Sequence, residues 1–105
     1  MSREALEKML AKGMDNALLR FGLGKACLDE GNLEQAAEHL QCCVSFDGNY
    51  SAAWKLLGNA LNKLERYPEA RTAWENGLAA AREKGDKQAE KEMSVFLKRL
   101  DKQSH

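Results

Sequence analysis

Residues 54–74, WKLLGNALNKLERYPEARTAW, carry the pattern from which the rest of the chain can be read. Trp54, Leu57, Gly58 and Leu61 follow Trp-x2-Leu-Gly-x2-Leu, three- and four-residue steps that place them along one helical face. Glu65-Arg66 interrupts the run. Pro68 then stands where the first turn of a new helix tolerates it, and Ala70 and Trp74 follow as Ala-x3-Trp. Large residues thus occupy the positions where two helices fill a shared core, and small ones the positions where their backbones approach.

Outward from this stretch the helical punctuation continues. Residues 2–12 read as a short helix with Ala5, Leu6, Met9 and Leu10 on one side, closed by Gly13. Asp15 is read as the N-cap of a helix running to Glu30. Gly31-Asn32 breaks the chain, a helix spans Leu33 to Phe46, and Asp47-Gly48-Asn49 forms a second turn. Further helices are expected over Ser51 to Glu65 and to Lys84, where Gly85 ends the run. Asp86 caps a last helix to Asp101, with Ala89, Met93, Phe96, Leu97 and Leu100 on its apolar stripe.

Sliding the chain against itself by 34 residues exposes a repeat. Leu23-Gly24 falls on Leu57-Gly58, Ala26 on Ala60, and Ala36 on Ala70. Chemical matches extend it: Cys27 on Leu61, Leu33 on Tyr67, Leu40 on Trp74, Cys43 on Gly77 and Val44 on Leu78, without a gap. The period and the residues at these positions resemble the tetratricopeptide repeat. The resemblance implies an all-α stack of antiparallel helix pairs in a right-handed superhelix, about six helices in all. It divides the chain into an N-terminal capping helix (1–14), repeats at 17–50 and 51–84, a C-terminal capping helix (85–102) and a tail (103–105). Two departures stand out. Arg20 occupies the slot of Trp54, and Gly48 and Arg82 occupy the place of the family's usual proline. Each repeat alone cannot cover its apolar face, so caps are required at both ends. Trp54, Tyr67 and Trp74 are accordingly read as core and interhelix packing.

Composition narrows the function classes. The chain has 105 residues, one domain's worth, with 44% hydrophobic and 30% charged residues and a single proline, which suits a helical protein. Sixteen basic residues balance sixteen acidic ones, without the basic excess that phosphate neutralisation demands, so no nucleic-acid partner is expected. No run approaches the roughly 18 apolar residues of a membrane span, and MSREALEKML has no signal-peptide core. Three cysteines, two adjacent, argue for a reducing compartment, and a cytoplasmic location is expected. Asn49-Tyr50-Ser51 then has no use as a glycosylation acceptor.

Chemistry has few footholds. His39, Cys42 and Cys43, spaced i, i+3, i+4, could bring three soft ligands near one face, but a structural zinc wants four. Cys43 and Cys27 also fall on packing positions, so no metal is expected. His105 is the last residue, no serine stands in a nucleophile elbow, and Gly22-Leu23-Gly24 lies within a helix instead of following a strand. Neither an enzyme nor a cofactor is expected.

What remains is binding. In tetratricopeptide proteins the first helix of each repeat lines a concave surface that receives a peptide. The resemblance carries this role onto Leu18, Phe21, Lys25, Leu28 and Asp29 in the first repeat, and onto Ala52, Lys55, Asn59, Asn62 and Lys63 in the second. It implies an interaction module or adaptor whose partner is a peptide or helix with apolar anchors and acidic residues. Heat-shock adaptors of this family hold a terminal carboxylate with a lysine and an asparagine four residues apart, as Lys55 and Asn59 are. The next helix, however, offers Asp86 and Glu90 where cations would be needed, so that specialisation is not expected. The alternative is a self-associating, homodimeric structural or assembly subunit whose apolar groove is filled by its own Leu6, Met9 and Leu10 or by a second copy; a monomer or weak homodimer is expected.

Overall fold

A computed structural model describes residues 2–103. These form six helices: α1 (Arg3–Ala11), α2 (Ala17–Asp29), α3 (Leu33–Phe46), α4 (Ser51–Lys63), α5 (Tyr67–Lys84) and α6 (Lys87–Gln103). The all-α architecture expected from the pattern is the one observed. His105, named above, lies outside the described residues.

The turns explain the boundaries. Four helices end in a Schellman motif, in which a residue two or three past the helix bonds back to the carbonyl five before it. These bonds are Met14 N–H to Met9 O (3.1 Å), Asn32 to Cys27 (2.8 Å), Arg66 to Leu61 (2.9 Å) and Asp86 to Ala81 (2.8 Å). The motif needs a left-handed residue just before the donor, and Gly13, Gly31 and Gly85 supply it at φ 93°, 80° and 73°. Under α4 that place is taken by Glu65 at φ 62°. Helix α4 therefore stops at Lys63, short of the Glu65 expected from the apolar pattern.

At the other ends, Ser2 caps α1 by accepting from Ala5 N–H (3.2 Å). Asp86 caps α6 through Ala89 N–H (3.1 Å) and also accepts from Ser51 Oγ (3.2 Å), tying α6 to the start of α4. The cap of α2 is Asn16, not Asp15: its Oδ1 accepts from Leu19 N–H at 2.8 Å. Asp15 is instead held by Arg20, whose Nε and Nη2 donate to its two oxygens at 2.8 and 2.9 Å.

Consecutive helices pack against one another. The pairs α2–α3 and α4–α5 close around glycines. A Cβ on Gly24 would meet Leu40 Cγ at 2.5 Å, and one on Gly58 would overlap the Trp74 indole. Gly77 does the same for α6: a Cβ there would lie 2.5 Å from Met93 Sδ and 2.7 Å from Trp54 Cβ. The main core runs through α2–α6 and includes Cys27, Leu40, Leu57, Trp74 and Met93. A smaller cluster of Leu6, Leu19 and Leu23, flanked by Met9 and Leu10, fastens α1 to α2 alone.

Two aromatic residues are less buried than their spacing implied. Tyr67 is 40% exposed, because at the first position of α5 its side chain lies over the preceding turn, beyond the packed face. Trp54 is half-buried, its Nε1 donating to Gly48 O at 2.8 Å. Trp74 alone is enclosed, at 3% exposure.

Candidate functional site

Helix α2 touches α4, and α4 touches α6, while α3 and α5 do not approach each other. The stack therefore curves, with α2, α4 and α6 side by side on its inner face. This arrangement comes from the sequence locally: Gly24 and Gly58 let α3 and α5 settle close behind their partners, while the opposite stripes are exposed at Leu18, Lys25, Asp29 and Lys63 and half-buried at Ala52, Lys55, Asn59 and Asn62.

The inner face holds two hollows. The first, about 430 Å³, is lined by Leu6, Leu18, Gly22, Lys25, Ala26 and Asp29. Leu18 is 73% exposed there. Helix α1 forms one wall through Leu6 and leaves Leu18 uncovered. Of the other residues expected here, Phe21 stacks on Tyr50 (centroids 4.9 Å apart, planes at 21°), and Leu28 packs half-buried against the main core. Both contribute more to packing than to an open surface. Burial raises the Tyr50 phenol above its ordinary value.

The second hollow, about 290 Å³, opens between α4 and α6 and is lined by Asn59, Asn62, Lys63, Trp74, Phe96, Arg99, Leu100 and Gln103. Its floor is the ring pair Trp74–Phe96, with centroids 5.2 Å apart, and Trp74 Nε1 donates to Lys55 O at 3.2 Å. Asn62 Oδ1 is buried without a hydrogen-bond partner among the described residues. Ala52 and Lys55 are half-buried and line neither hollow, and the Lys55 ammonium pairs with Glu92 at 3.3 Å. The expected set is thus brought onto one face but split: Leu18, Lys25 and Asp29 at one hollow, Asn59, Asn62 and Lys63 at the other.

Phe96, Arg99 and Gln103, which line this hollow, are not among the expected residues, because the buried stripe of α6 reads as that of a capping helix. For Phe96 a signal exists: the 34-residue step carries Asn62 onto it, on a helix that lies beside α4 as α4 lies beside α2, whereas Arg99 and Gln103 fall beyond the residues that α4 reaches by this step.

The remaining chemistry-bearing residues are committed elsewhere. Arg20, in the slot of Trp54, reaches α3, where Nη1 lies 3.1 Å from His39 Nδ1. Arginine can only donate, so Nδ1 accepts and the imidazole proton sits on Nε2. Burial, and then the Arg20 charge, hold His39 below its ordinary value of 6.5. Desolvation pushes the buried Cys43 thiol up to about 11, with Asp47 adding to it, and raises Cys27 as well. Thiols held protonated in a core are poor ligands and nucleophiles. Among the described residues no three His, Cys, Asp or Glu side chains stand together as a metal site.

A curated protein of Pseudomonas aeruginosa, TPR repeat-containing protein PA0015, is 66% identical over 99 residues, 94% of each chain. The chain belongs to the tetratricopeptide-repeat family. The solution structure of protein BPP2914 from Bordetella parapertussis is 48% identical and superimposes with a TM-score of 0.81, covering 96% of this chain and 88% of that one. The crystal structure of a tetratricopeptide repeat domain protein from Salinibacter ruber is 22% identical with a TM-score of 0.77, over 83% of this chain and 97% of that one, and shows the shared fold. No family model matches the chain. Tetratricopeptide-repeat proteins are in general non-catalytic scaffolds for protein–protein interaction. Among the described residues no helix is long and apolar enough to cross a membrane.

Proposed function

We propose that this protein is an interaction module or adaptor that holds a peptide or helix of a partner protein on the inner face of α2, α4 and α6. In this reading residues 17–50 and 51–84 are the two repeats, with α1 and α6 closing the ends. The observation that carries it is Leu18, a large apolar side chain 73% exposed beside an open hollow. Burying such a side chain contributes about 1.5–3 kcal/mol, whereas an exposed ion pair contributes only about 0–1 kcal/mol. Leu18 would thus supply affinity, with Lys25, Asp29, Asn59, Asn62 and Lys63 providing polar contacts around it. Three unpaired cysteines suit a reducing, cytoplasmic setting for this role.

The test is a Leu18→Asp/Lys25→Glu double variant, preferable to a change at Phe21, which would break the Tyr50 stack. Partners captured by the wild type should be lost while the circular dichroism spectrum and melting temperature stay unchanged. Retention of every partner by a folded double variant would refute the reading. Light scattering at two concentrations separates it from self-association: a protein whose Leu18 is covered by a second copy would be a dimer at high concentration and a monomer once Leu18 is replaced.

A further inference from the structure

The arginines of this molecule are mostly paired with carboxylates. Arg3 binds Glu30, Arg20 binds Asp15, Arg66 binds Glu34, Arg71 binds Asp101 and Arg82 binds Glu90, at 2.5–3.1 Å. The sixth arginine, Arg99, has no carboxylate partner among the described residues, and it lines the hollow between α4 and α6. Lys63, equally unpaired, lines the same hollow, and no acidic residue does. In a chain with a formal net charge of zero this is a local positive site. The hollow beside Leu18 differs, since Asp29 faces Lys25 there.

We infer that the α4–α6 hollow receives an acidic segment of the partner protein, a carboxylate side chain flanked by an apolar one. This rests on the inner-face reading above and names what one part of that face recognises. A guanidinium presents a planar fork of donors that fits a carboxylate, and Lys63 adds a second charge from the opposite helix. The Trp74–Phe96 floor lies between the two helices and gives a neighbouring apolar side chain a surface to cover. The Asn59 and Asn62 side chains line the same hollow, and an amide offers both donors and an acceptor to a peptide backbone. At about 290 Å³ the hollow stands at the low end of ligand-pocket volumes, which begin near ~300 Å³, so it suits an anchoring side chain and its neighbour. Two cations are too few for a nucleic-acid backbone, where affinity comes from many neutralised phosphates.

The experiment is selection from a random dodecapeptide library displayed on phage. The baits are the full-length wild type, Arg99→Glu/Lys63→Glu, Arg99→Lys and Leu18→Asp, each checked for folding by circular dichroism. The wild type should enrich peptides that place Asp or Glu within a few residues of a large apolar residue. Synthetic versions should bind Arg99→Glu/Lys63→Glu at least about tenfold more weakly, bind Arg99→Lys in between, and weaken as salt is raised. Enrichment without acidic residues, or equal binding to the charge-reversed variant, would overturn the assignment. Peptides lost only with Leu18→Asp would overturn it while leaving the inner-face reading intact. No enrichment by any bait would overturn both.

Discussion

Gly58 is the sharpest place to perturb this fold. It sits mid-way along α4, and a Cβ there would overlap Nε1 and Cδ1 of Trp74 and come within 2.6 Å of Cε2. The indole has little room to retreat, being 3% exposed, bonded from Nε1 to Lys55 O at 3.2 Å and packed on Phe96. Gly58→Ala should therefore force strain of about 1–3 kcal/mol. Loss of the indole hydrogen bond adds about 1 kcal/mol. Removing a glycine from a helix interior returns about 1 kcal/mol, which leaves a net destabilisation near ~2 kcal/mol. For a domain of this size that lowers the melting temperature by about 8–12 °C. Gly22→Ala is the control. Its Cβ would meet only Leu6 Cδ1, the end of a rotatable side chain, at 3.1 Å, so the helical gain should leave stability within about 0.5 kcal/mol of wild type or above it. Urea denaturation followed by far-ultraviolet circular dichroism measures both. If Gly58→Ala matched the wild type, or Gly22→Ala fell as far, close helix approach would not be what these glycines provide.

Glu65→Gly should stabilise the protein by about 1 kcal/mol, because a left-handed conformation costs a side-chain-bearing residue about 1–2 kcal/mol and Gly nothing comparable. Gly31→Ala, at the equivalent turn, should destabilise by a similar amount, and urea midpoints check both. His39 makes stability pH-dependent. Its folded pKa is depressed, so its contribution is fully present above about pH 6.5 and declines as pH falls from there through the lower folded value. His39→Gln should flatten that slope in melts between about pH 7 and 5, leaving a separate loss below 3.8 from Asp15, whose carboxyl Arg20 holds low. Leu6→Ala should cost about 2 kcal/mol or slightly more and speed amide exchange in α1 while α4 and α5 stay protected, since Leu6 belongs to the smaller cluster.

Much of this was visible in the chain for a physical reason. Leu-Gly at 23–24 and again at 57–58 marks where a helix must be approached closely, and the residues 34 places apart that meet those glycines, Leu40 and Trp74, are the ones that do so. Where the sequence was silent, two local chemistries were nearly equal or the decisive contact was remote. Asp15 and Asn16 cap about equally well, and only the distant Arg20 decides by claiming Asp15. Nothing in a Glu announces a left-handed turn, so the end of α4 was placed too late. Phe21 looked free because its partner, Tyr50, lies on the far side of α3 in the chain. Lys55 looked available because Glu92 reaches it from the C-terminal capping helix, remote in sequence. Arg99 escaped notice for the same cause: its role depends on α6 lying beside α4.

Backbone amide shifts recorded while a library-selected peptide is titrated into labelled protein address the inner face as a whole. The perturbed residues should cluster around Leu18 and Lys25 on α2, Asn59, Asn62 and Lys63 on α4, and Phe96 and Arg99 on α6. Perturbations confined to the outer cleft, where Trp54 and Asn76 lie with Gln41 and Thr72, would contradict the inner-face reading.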